Sequence, residues 1–117
     1  MKKAFTLPTC KTCQRIFDDL QPEQPGCEVV DIKAEGISAT DLDAMKAHAG
    51  CYEALFSRRA IKFRSMGLAD KTLTEQDYRK LILEEYTFLK RPVFLTDAGV
   101  TAGSAKAQVA AARDLLS

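Results

Sequence analysis

An α/β domain with a mixed sheet and a helical insertion is the fold class that the sequence predicts, on three observations. The chain opens with a short apolar stretch, a helical pattern and a second short apolar stretch. Its middle reads as helix with capping signals. Near Arg91 the period returns to that of strands, before one last helix. At 117 residues, 46% hydrophobic and 28% charged, the chain is expected to form a single domain, residues 1–117, with its own core.

Ala4–Leu7 reads as a strand ended by Pro8. From Lys11 to Leu20 the residues Cys13, Ile16, Phe17 and Leu20 recur at helical spacing. Cys13 then lies on the buried stripe, and Cys10 sits just ahead of the helix. Gln21-Pro-Glu-Gln-Pro-Gly26 breaks the chain. Cys27–Ile32, with Val29, Val30 and Ile32, follows as a strand of the buried, parallel type. A right-handed crossover makes the two strands parallel.

The middle is expected to be helical. Ser38-Ala-Thr-Asp41 is a capping start for a helix with Leu42 and Met45 inward, stopping near Gly50. Tyr52–Met66 places Leu55, Phe56, Ile61, Phe63 and Met66 among a dense set of cations. Thr74-Glu-Gln-Asp77 is a second capping box, opening a helix with Tyr78, Leu81, Ile82 and Tyr86 facing inward.

Arg91–Asp97 then reads as a strand whose opening includes Pro92, which cannot donate to a ladder. Asp97-Ala-Gly99 is a turn and Val100–Ala102 a returning strand. Gly103-Ser104 leads into a helix with Ala105, Val109, Ala112 and Leu116 on one face. The order β-α-β, helices, β-β-α is the thioredoxin-like arrangement. Both halves share one mixed sheet, and Pro92 opens the strand nearest the thiols.

Composition narrows the function. A formal charge of +1 argues against a nucleic-acid footprint over the whole surface. No apolar run approaches the roughly 20 residues of a membrane span. The basic start at Met1-Lys-Lys is followed by an apolar run broken at Thr6 and stopped at Pro8, too short for a secretory core. The expected location is the cytoplasm, where thiols are kept reduced.

That bears on Cys10-Lys-Thr-Cys13, for which a structural bridge, a metal clip and a working dithiol are the three readings. A reduced compartment disfavours the bridge. A zinc site needs two more ligands. Of the remaining Cys27, His48 and Cys51, only His48 and Cys51 are near each other, and Cys27 stands alone in a strand. That is not the usual set of closely spaced pairs, so no metal is expected. Cys27 and Cys51 read as small buried hydrophobes, and His48 as a surface or capping residue. A C-x-x-C beside a βαβ opening fits redox chemistry. Helix amides lower the pKa of a thiol at the cap, and Lys11 adds a cation beside Cys10. Cys13, one turn on, can attack a mixed disulfide at Cys10 and close a ring.

Two basic features remain. Ser57-Arg-Arg-Ala-Ile-Lys-Phe-Arg64 reads as a solvated helix face or as a patch for an anion or acidic partner. Arg91, ahead of Pro92, is the better neighbour for the sulfur, since a guanidinium depresses a thiol pKa and binds oxyanions bidentately.

Together, Thr9-Cys10-Lys-Thr-Cys13, Ser57-Arg58-Arg59 ahead of Phe63, Leu89-Lys90-Arg91-Pro92-Val93 and Gly103 resemble the arsenate reductase-like family, which also contains the Spx-type regulators. The resemblance spans nearly the whole chain. It implies a thioredoxin fold with a helical insert at about residues 37–89 and a cis bond before Pro92. It makes Cys10 the nucleophile, with Arg59 and Arg91 helping to bind an oxyanion. It brings in glutathione, glutaredoxin or thioredoxin as thiol reductant, with no bound cofactor. The arsenate-reducing members carry a third arginine after the last strand pair. Val100-Thr-Ala-Gly-Ser-Ala105 has none, which disfavours arsenate, because each charge-assisted contact is worth about 1.5–3 kcal/mol. The second cysteine matches the Spx branch, whose dithiol is a redox switch on a surface contacting RNA polymerase. The end at Ser117, without the tail common in those regulators, tilts the expectation toward a thiol-dependent reductase.

Overall fold

The structure, a computed structural model, describes residues 2–21 and 26–116. The chain forms two compact units: one from the segments up to Gly36 and from Arg91 onward, the other from Ile37–Lys90. The expected breaker Pro22-Glu-Gln-Pro25 lies outside the described residues.

The first unit is built on four strands, β1 (Lys2–Thr6), β2 (Glu28–Asp31), β3 (Val93–Thr96) and β4 (Gly99–Ala102), in the order β2-β1-β3-β4. β1 and β2 run parallel, with Ala4 opposite Val29. β3 is antiparallel to β1, with Ala4 opposite Phe94, and β4 is antiparallel to β3, with Phe94 opposite Thr101. The sheet is mixed, as the thioredoxin-like order requires. Pro92 stands just ahead of β3, where its missing N–H interrupts no ladder bond.

β2 departs from expectation. It lies at the sheet edge, with Glu28 and Val29 exposed and Val30 buried, so it is parallel but not a buried strand. It also stops at Asp31, whose carboxylate accepts from the Lys33 and Ala34 amides and opens α2 (Ile32–Glu35). A side-chain cap ends the strand one residue early, and Ile32 is buried as the first helical residue.

α1 (Lys11–Leu20) and α6 (Lys106–Leu116) cover one face of this sheet. Ala4, Ile16, Cys27, Phe94, Ala112 and Leu116 form a buried cluster with Phe17, Leu20 and Val109 against it. The Phe17 and Phe94 rings lie 5.6 Å apart. On the opposite face Phe5, Val93 and Leu95 are fully buried as well.

In the second unit α3 (Ala39–Ala49) begins at Ser38, whose hydroxyl accepts from the Asp41 amide, and ends at Gly50 with φ 94°, a left-handed conformation that suits glycine. α5 (Glu75–Glu84) starts with a reciprocal capping box between Thr74 and Asp77. Phe56 is the centre of this unit, with Tyr78, Phe88 and Phe63 rings at 4.9, 5.0 and 6.0 Å.

The segment Tyr52–Met66 corrects the expected helical middle. Glu53–Leu55 is a single tight turn, and α4 (Ile61–Ser65) is only five residues long. Ser57 and Lys90 amides donate to the Phe88 and Leu55 carbonyls, holding Phe56 in an extended bridge with Leu89. So short a helix turns only one side inward. Phe63 takes it, while Ile61, two residues away and on the other side, is 87% exposed.

Candidate active site

The functional side chains gather where β1 hands over to α1. The Cys10 amide donates to the Leu7 carbonyl at 2.9 Å, turning the chain, and Cys10 itself caps α1 in an extended conformation. Cys13 then falls one turn into the helix and is fully buried, whereas Cys10 is partly exposed. All four cysteines are free.

The pair is electrostatically unequal. Partial burial opposes the Cys10 thiolate, but the Cys13 amide and thiol, the Thr12 amide and the charge of Arg91 outweigh it, so the pKa of Cys10 is lowered. Burial pushes the Cys13 thiol up, and the adjacent Cys10 adds to this. The Leu7 amide and the Thr6 hydroxyl pull the other way and do not cancel it. One sulfur is biased toward the anion and its hydrogen-bonded neighbour toward the thiol. Nothing in the sequence pattern singles out Thr6 except its place on β1. There the alternation turns its polar side chain inward, and only 7% of it is exposed.

Arg91 lies immediately before β3, and the Arg91–Pro92 bond is cis, as the resemblance implies. Its Nε is buried and has no hydrogen-bond partner among the described residues, although its charge acts on Cys10. Pro92 is buried, and its carbonyl accepts from the Gly103 amide at 3.0 Å. Lys11 is exposed at the start of α1. Cys10, Cys13, Lys11, Arg91 and Pro92 thus share the first unit.

Arg59 belongs to the second unit, where it is exposed and lines a shallow surface cavity of about 740 Å³ with Arg58, Ile61 and Arg64. Arg58 is already engaged, donating to Glu53 at 2.7 Å and to the Tyr78 hydroxyl at 2.8 Å. His48 is exposed in the last turn of α3. Cys27 is buried in the first unit's core, but Cys51 is only half-buried, short of the buried position expected for it. Among the described residues no three His, Cys, Asp or Glu side chains are placed to hold a metal ion. None of the described helices is long and apolar enough to cross a membrane.

Comparison with known proteins fits this geometry. The ArsC family model matches residues 5–112. No curated protein sequence matches the chain. Among solved structures, an ArsC family related protein from Bacteroides fragilis superposes with a TM-score of 0.82 at 20% identity, covering 99% of this chain and 97% of its own. An arsenate reductase from Vibrio cholerae superposes at 0.78 and 15% identity, covering 94% and 95%. An arsenate reductase related protein from Brucella melitensis does so at 0.69 and 24%, covering 94% and 92%. At these identities the structures establish the shared fold.

Proposed function

This chain belongs to the ArsC family, and on that premise we propose that it is a cytoplasmic thiol-dependent reductase with Cys10 as nucleophile and Cys13 as resolving thiol. The unequal pair is the observation behind this reading: a partly exposed sulfur favoured as thiolate, hydrogen-bonded to a buried one favoured as thiol. A nucleophile needs the first property, and a resolving group that stays out of side reactions needs the second.

In the proposed cycle the Cys10 thiolate attacks one sulfur of a disulfide, breaks the S–S bond and releases one thiolate. Cys13 gives up its proton and attacks the Cys10 sulfur, releasing the second thiolate and closing the Cys10–Cys13 disulfide. Two glutathione thiols, or a single dithiol of glutaredoxin or thioredoxin, return the pair to its reduced form and are themselves oxidised to a disulfide. Arg91 and Lys11 hold the thiolate and any oxyanion at it. The family resemblance assigns Arg59 the same anion-binding task, and Pro92 borders the sulfur. No bound cofactor is needed. With no arginine in Val100–Ala105, disulfides suit the site better than arsenate.

The exposed Arg59, Ile61 and Arg64 favour a second reading, a redox-sensing regulator of the Spx type that docks on RNA polymerase without contacting nucleic acid directly. The two readings separate in one experiment. Reduction of hydroxyethyl disulfide and of arsenate is followed with glutathione as reductant, using Cys10→Ser as control. The reductase reading expects disulfide turnover that Cys10→Ser abolishes and a trapped glutathione adduct on Cys10 in Cys13→Ser. Turnover no faster than glutathione alone, together with a stable complex with polymerase, would sink it.

A further inference from the structure

The second thiol is served by a group that the cycle above leaves out. Thr6, the last residue of β1, is 7% exposed, and its hydroxyl is hydrogen-bonded to the fully buried Cys13. The turn makes this contact: the Cys10 amide folds back onto the Leu7 carbonyl and returns the first turn of α1 to the end of β1. β1 is a central strand, and Ala4 and Phe5 beside Thr6 are apolar and buried. A valine would fill the same space, so what the threonine adds there is one hydroxyl. A buried hydroxyl needs a partner. Of the other buried threonines, Thr96 accepts from the Ala98 amide, and Thr101 Oγ1 has no partner among the described residues.

The surroundings of Cys13 change as the reaction proceeds. In the reduced pair its thiol donates to the Cys10 thiolate, whose charge opposes a second anion beside it. Once Cys10 is held in a mixed disulfide it carries no charge, and Cys13 loses both that acceptor and that repulsion. Two donors remain at its sulfur, the Thr6 hydroxyl and the Leu7 amide. Among the charged groups nearby, Arg91 acts on Cys10, and Lys11 is exposed. Asp31, opposite Thr6 on β2, has its carboxylate engaged by the Lys33 and Ala34 amides.

We propose that Thr6 is a catalytic residue of the resolving step: its hydroxyl donates to the Cys13 sulfur and stabilises the thiolate that attacks the mixed disulfide. The inference rests on the reductase reading and adds the group that readies the second thiol only after the first has reacted. In that step the Cys13 proton passes to water and the Cys13 sulfur bonds to the Cys10 sulfur. The bond from Cys10 to the substrate breaks, and the substrate sulfur leaves with the electron pair as a thiolate. The substrate disulfide is thereby reduced and the protein pair oxidised.

Two measurements test it. In stopped flow, reduced protein is mixed with excess dithiobis(nitrobenzoate), whose released thiolates are coloured. The phase that is independent of reagent concentration and absent from Cys13→Ser is the resolving step. A hydrogen bond to an anion favours it about tenfold, so Thr6→Val should move the pH midpoint of this phase up by about one pH unit. A more basic thiolate is also about threefold more nucleophilic. The variant should therefore be about threefold slower at neutral pH and about threefold faster above both midpoints. Thr6→Ser, which keeps the hydroxyl, should return the wild-type profile. Slowing by the same factor at every pH would report a displaced sulfur and overturn the proposal, as would an unchanged profile.

The second measurement follows the Cys13 Cβ NMR shift against pH in Cys10→Ala, where no exchange chemistry takes place. Adding Thr6→Val or Thr6→Ala should raise the midpoint by about one pH unit, and Thr6→Ser should not. A midpoint unmoved by loss of the hydroxyl overturns the proposal. If the wild type shows no resolving phase at all, the reductase reading itself fails, and this titration alone decides whether Thr6 holds the Cys13 anion.

Discussion

Cys10 and Arg91 are separated by most of the chain, yet the chemistry of one sulfur depends on both. Arg91 contributes charge to the Cys10 thiolate, so its removal should shift that thiol's titration upward. Iodoacetamide labelling of Cys10 against pH should show an inflection below that of an ordinary thiol, and Arg91→Met should move it up. An inflection unmoved by Arg91→Met would mean that the Cys13 amide and thiol and the Thr12 amide act without it. The place of Cys10 ahead of α1 and of Cys13 on its buried side was legible from sequence, because C-x-x-C ahead of a helical stripe admits few geometries. Thr6 and the inequality of the two thiols were not. Both depend on how deeply Cys13 sinks behind β1, a depth that spacing alone does not encode.

Helix starts hold much of the second unit's detail. Thr74→Ala removes one half of a reciprocal cap and should cost about 1 kcal/mol, read as a lower urea midpoint at constant slope. Asp43, on α3, receives two hydrogen bonds from Arg79 of α5 and one from Tyr52. Arg79 first and Tyr52 second lower its pKa from 3.8 to about 2. Because the folded value lies below the unfolded one, this contribution is fully present above the unfolded value and disappears as pH falls through about 2. The Tm gap between wild type and Asp43→Asn should therefore be constant above pH 3.8 and narrow from there to about 2. A gap that stays constant on acidification would mean that the Arg79 contact adds nothing. The caps at Ser38 and Thr74 were readable because their signals are local. α4 was not, since its limits are set by the Phe56–Leu89 bridge, a contact 33 residues away along the chain.

At the scale of the whole molecule, the sheet's order decides which strands need apolar residues on both sides. β1 and β3 are central and buried, whereas β2 is an edge that tolerates Glu28 and Val29 in water. Composition marked Val29 and Val30 as strand residues but could not say on which side of the sheet they would end. Phe94 is the large central side chain of the α1/α6 layer, so Phe94→Ala should destabilise the fold by about 3–5 kcal/mol in urea unfolding. The accompanying rise in amide exchange should appear in α1 and α6. A loss well under that range would mean that Phe17 collapses into the vacated space.

The depth of Cys13 also governs which adducts the protein can accumulate. A sulfur with no surface cannot be met by a dissolved oxidant or a wandering thiol, and its accessible partner is the sulfur next to it. On the proposed cycle, stray conjugates should collect at one position and be cleared from within. A native sample kept under mild oxidation should then resolve into two species by mass, fully reduced and internally closed, with labelling of Cys13 becoming a clock for unfolding.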